Sequence, residues 1–109
     1  MFYSIRRAIR NLRDWLPVIL KDEHWDYGFT YEILYRKLEL KEQFFRSKYT
    51  SVADWKETAN EIKEVKDALK RLIDDEYYVG EEERPEELKQ RDKDIVFDGM
   101  KNNIEKWWD

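Results

Sequence analysis

Few residues in this chain could do covalent chemistry. There is one histidine, His24, and no cysteine. The missing thiols remove disulfides, zinc–thiolate sites and cysteine nucleophiles together, which fits a reducing compartment. A metal site would need carboxylates, and no Asp-x-Asp-x-Asp-Gly loop occurs. Asp22-Glu23 and Asp74-Asp75-Glu76 cluster beside aromatics, but acids at helix ends are ordinarily solvated. Ser4, Ser47 and Ser51 lack a nucleophile-elbow context, and one histidine cannot be assigned as base to any of them. No glycine-rich phosphate loop is present. The expectation is a non-enzyme with no catalytic residue, no metal and no cofactor.

Binding chemistry remains. The segment from Trp25 to Leu38 interleaves Trp25, Tyr27, Phe29, Tyr31 and Tyr35 with the basic pair Arg36-Lys37. Aromatic faces stack on nucleobases for about 1–3 kcal/mol each, while Arg and Lys pair with phosphate. Arg6, Arg7 and Arg10 offer further cations, and Trp107 and Trp108 further platforms. The candidate ligand-binding set is therefore Arg6, Arg7, Arg10, Trp25, Tyr27, Tyr31, Tyr35, Arg36, Lys37, Trp107 and Trp108. Each of them also reads individually as a core aromatic or a peripheral charge.

Composition bounds the rest. At 109 residues the chain is one domain, residues 1–109. It is 42% charged yet carries 5 Trp, 7 Tyr and 5 Phe, more than a disordered chain would hold. Three Gly and two Pro favour helix over sheet. The net charge of −4 argues against a generic DNA binder. Residues 1–21 hold five basic side chains against one Asp, and residues 74–94 hold ten acids against four bases. The two ends either attract each other or leave the basic end free for a small anion. The longest apolar run is too short to span a bilayer, and no secretory signal is apparent.

The fold expected is all-α, a compact and oligomeric bundle of about four helices. Helix 1 spans roughly 2–20, with Phe2, Ile5, Ile9, Leu12, Leu16 and Ile19 on one stripe facing the core and arginines on the solvated side. Pro17 should kink or restart it. Helix 2 spans roughly 25–47 behind Asp26, a first-turn acid or N-cap. Its two stripes, Tyr27/Tyr31/Leu34/Leu38/Phe45 and Phe29/Ile33/Leu40/Phe44, make it the central helix, with the second stripe available to another subunit. Helix 3 spans roughly 51–78, capped by Thr50 or Ser51, with a seam of Trp55, Ala59, Ile62, Val65, Leu69, Leu72 and Ile73 and a stop at Gly80. Helix 4 opens at Pro85 and buries Leu88, Ile95, Val96, Phe97, Met100, Ile104 and the tryptophans.

Trp25-Asp26-Tyr27 opening an aromatic helix, Asp74-Asp75-Glu76-Tyr77-Tyr78 after a helix, and the closing Lys106-Trp107-Trp108-Asp109 together resemble a widespread family of small tailed-bacteriophage proteins. The basic Trp15-Leu16-Pro17 helix is similar too, so the likeness covers essentially the whole chain. The resemblance implies an anti-defence factor in the cytoplasm of the infected bacterium. Within that group it points to the oligomeric sponges that sequester the cyclic dinucleotide signals of CBASS immunity. A homo-oligomer, dimer or tetramer, would present one patch twice to a nearly two-fold ligand. Two rivals stand beside it: an inhibitor or adaptor docking on a host protein through its acidic and aromatic surface, and peripheral membrane binding by basic helix 1. A virion structural role also stays open. Ligand identity, subunit number and the division of aromatics between pocket and core are not legible in the sequence.

Overall fold

Apolar periodicity, one N-cap and one helix-opening proline give four helices in a computed structural model that describes residues 2–47, 50, 53–80 and 84–107. They are α1 (Phe2–Lys21), α2 (Tyr27–Phe45), α3 (Trp55–Asp74) and α4 (Pro85–Asn103), followed by a 3-10 turn at Ile104–Lys106. Among the described residues there is no strand, and no helix is long and apolar enough to cross a membrane.

Local signals set most helix ends. The Asp26 carboxylate accepts the Gly28 N–H at 2.8 Å and so satisfies one of the free donors of α2. Pro85 occupies the first turn of α4, where its missing N–H leaves no bond unmade. The stop of α3 differs from expectation. The helix ends at Asp74, and Asp75 takes the left-handed conformation with φ 48°, its N–H donating to the Arg71 carbonyl. Gly80, with φ 97°, lies in a turn further on. At its start Asp54 takes the cap position, with no side-chain capping bond. Ser51 lies outside the described residues.

The central helix is α3, not α2. Its buried residues Ala59, Ile62, Val65, Ala68, Leu69 and Leu72 face Leu38 and Phe45 of α2 and Val96 of α4. Two alanines on that surface let both neighbours come close. Gly99 of α4 comes closer still: a Cβ there would lie 2.6 Å from Val65 Cγ2. Trp55, expected in the seam, is exposed, as is Phe97 of α4. Trp107 closes the core. It is 1% exposed, its carbonyl accepts from Lys41 at 2.9 Å, and its indole N–H points to Glu61 at 3.3 Å.

The largest departure is α1. It runs unbroken through Pro17, and its apolar stripe faces solvent, not the core. Ile5, Ile9, Leu12, Leu16 and Ile19 are all exposed, Ile9 by 63%. Residues 3–13 are exposed on every side. Only the second half of α1 meets α2. Arg36 Nε donates to the Asp14 carbonyl at 3.0 Å, and the Lys37 ammonium lies 6.0 Å from the Trp15 ring centroid. The chain is accordingly long, 54 × 35 × 21 Å with a radius of gyration of 16.1 Å, against about 13 Å for a compact domain of this size. A three-helix body with an arm replaces the compact four-helix bundle.

The α3–α4 approach gives a test. Alanine at Gly99 would recover about 1 kcal/mol of helix propensity but would press a methyl into Val65, overpacking that costs about 1–3 kcal/mol. Gly99→Ala is expected to lower the urea midpoint, and Val65→Ala in the same chain to restore part of it. A raised midpoint in the single variant would show that the helices are not in such contact.

Candidate functional site

Two of the sequence-predicted site residues meet in one place. Tyr35 and Arg36 on α2 line a cleft of about 250 Å³ with Pro17, Val18 and Lys21 of α1 and Lys70 and Ile73 of α3. Glu32 and Glu39 complete its wall. The last turns of α1 form one wall of the cleft. It offers one phenol ring and three cations against two carboxylates. The cations are partly engaged. Arg36 is ion-paired with Glu39 and tied to the Asp14 carbonyl. Lys70 pairs with Asp74 at 3.1 Å, a contact that raises its pKa above the ordinary lysine value. The Lys66 ammonium, outside the cleft lining, lies 6.0 Å from the Tyr35 ring centroid.

The other described candidates lie outside the cleft lining. Arg6, Arg7 and Arg10 stand on the arm, and Arg7 stacks over Tyr3. Trp25 and Tyr27 are 81% and 70% exposed at the entry to α2. Tyr27 meets Tyr31 edge to face at 5.9 Å, and Tyr31 packs on the core. Lys37 is exposed over Trp15. Trp107 serves the core, so its ring offers no platform. Trp108 lies outside the described residues.

Two buried polar centres escaped the sequence reading. Asp92 on α4 is 1% exposed, takes a two-pronged interaction from Arg71 at 2.9–3.1 Å, and accepts the Tyr77 hydroxyl. Burial by itself would raise its carboxyl, but the Arg71 and Tyr77 hydrogen bonds and the guanidinium charge outweigh burial and hold it below the usual aspartate value. The same contact, with burial foremost, pushes the Tyr77 phenol well up. Glu42 on α2 is buried between Lys66 at 2.6 Å and Arg46 at 2.8 Å, and these cations overcome burial to lower its pKa. A signal did exist. Asp92 shares a helical row with Leu88, Val96 and Gly99, and Glu42 shares one with Leu38 and Phe45. A charge on an apolar stripe must be buried with a partner.

Both centres pair a buried carboxylate with cations, and both join helices. Four acids of the 74–94 segment are ion-paired: Asp74 with Lys70, Asp75 with Lys89, Glu87 with Arg84 and Asp92 with Arg71. Among the described residues, no group of three or more His, Asp or Glu side chains is placed to hold a metal ion. No family model, no curated protein and no solved structure matches this chain.

The two carboxylates fix a pH dependence. Each has a folded-state pKa below its ordinary value, 3.8 for Asp92 and 4.5 for Glu42. Their stabilisation is complete above those values and is lost as pH falls through the folded ones. The melting temperature should therefore hold steady near neutrality and drop on acidification below about 4.5. Asp92→Asn should lower the neutral-pH melt and flatten part of the acid slope. An unchanged melt between neutrality and strong acid would contradict both assignments.

Proposed function

We propose that this protein is a non-catalytic, homo-oligomeric binding protein that sequesters a nucleotide of the cyclic dinucleotide class. The observation that carries the reading is the α1–α2–α3 cleft, where a tyrosine face and the cations of Lys21, Arg36 and Lys70 converge. At about 250 Å³ it is smaller than the ~300–1,000 Å³ pockets that enclose a whole drug-sized ligand. One base with its phosphate enters, and the rest of the ligand stays outside. The likeness to small tailed-phage proteins supports taking the ligand as an immune signal and the role as anti-defence. Capture of such a signal requires affinity alone, about −12 kcal/mol for a nanomolar dissociation constant.

Titration calorimetry with a panel of cyclic di- and trinucleotides tests the reading. At least one member should bind. Lys21→Ala and Lys70→Ala, both at exposed positions, should each weaken it about tenfold, roughly one charge-assisted contact, with little change in the melt. Silence across the panel at micromolar protein would remove the proposal.

A further inference from the structure

The arm has a pattern that states what covers it. Ile5, Ile9, Leu12, Leu16 and Ile19 alternate steps of four and three residues along the whole helix. That is a seven-residue repeat with Ile9 and Leu16 at a and Ile5, Leu12 and Ile19 at d. Such a narrow stripe is a coiled-coil seam, whereas a helix lying on a lipid surface carries a broader apolar face. The register explains the docking within the chain. Asp14 and Lys21 fall at f, Pro17 at b and Val18 at c, and these are the positions turned toward α2 and the cleft. The three-helix body thus grips α1 mainly by the side opposite its seam, with Trp15 held at the flank beside Lys37. Residues 3–13 have no cover of their own, and an uncovered helix of that length is marginal in water.

We propose that α1 pairs with α1 of a second copy as a parallel coiled coil, placing one three-helix body on each side. The flanking charges select the direction. Arg6 and Arg13 occupy e, while g holds Ala8 and Trp15. In a parallel pair, e faces g of the partner, so Arg13 lies beside Ala8 and Leu20 beside Trp15. An antiparallel pair would set e against e and bring arginines together. The pairing supplies the self-association that the sequestration reading assumes, yet it is measured without any nucleotide, so either idea can fail alone.

Sedimentation velocity of the full chain from about 1 µM to about 100 µM covers dissociation constants in the micromolar range. The expected result is a concentration-dependent dimer. Ile9→Glu with Leu12→Glu should weaken it at least tenfold while the melt of the body persists, since both positions lie beyond the body. The chain has no cysteine, so Ile5→Cys gives a clean orientation probe. Under oxidation it should form a disulfide-linked dimer, because a parallel seam sets residue 5 against its own copy. A wild-type monomer throughout, or a dimer indifferent to the double substitution, would overturn the pairing. A dimer that fails to cross-link would overturn the parallel arrangement. A monomer that floats with phosphatidylglycerol/phosphatidylcholine vesicles would assign the face to lipid and overturn the second copy.

Discussion

The organisation of this molecule depends on how α2 holds α1. Arg36 donates to the Asp14 carbonyl, and Lys37 sits over Trp15. Asp14 lies on the side of α1 away from Ile9, Leu12 and Leu16, and Trp15 lies on the flank between the two. Once the helix is gripped there, its apolar stripe has to point outward. The same attachment opens the cleft beside Tyr35, because only Pro17, Val18 and Lys21 reach back to its wall. A single junction thus sets both the exposed seam and the concavity.

The body that presents this arm is stapled by charge as well as by apolar packing. Asp92 joins α4 to α3 through Arg71 and reaches Tyr77 in the turn after α3. Glu42 joins α2 to α3 through Lys66. Removing one partner from such a centre leaves a buried charge uncompensated and costs far more than the intact pair contributes. These ties also fix helix register, since a carboxylate must meet its guanidinium at one spacing only. Large rings finish the work: Phe45 and Trp107 are fully buried, while Tyr3, Trp25, Tyr27 and Tyr78 remain outside. The aromatics of the chain are thus divided between its core and its surface.

How much of this was legible follows from what periodicity encodes. It records which face of a helix is apolar, so four helices, the Asp26 cap and the Pro85 start were readable. It does not record what meets that face. The stripe of α1 therefore suggests the chain's own core, and the two stripes of α2 suggest the central place that belongs to α3. The pattern runs past the end of α3 because Tyr77 and Tyr78 prolong the apolar spacing after Asp75 has already turned left-handed. At the cleft, Tyr35 and Arg36 are among the residues that the aromatic and basic pattern singles out, whereas Lys21 and Lys70 are not, because they come from helices whose angles no local pattern sets. Trp107 carries both readings in the sequence, platform and core, and its burial selects the core.

Amide hydrogen exchange along α1 tests the central claim, that its seam is uncovered in one copy and closed by another. The account predicts fast exchange for residues 3–13 in dilute protein and protection that grows with concentration, while the amides of α3 stay protected throughout. Protection of residues 3–13 that is strong and independent of concentration would mean that the chain covers its own seam. That result would contradict the arrangement described.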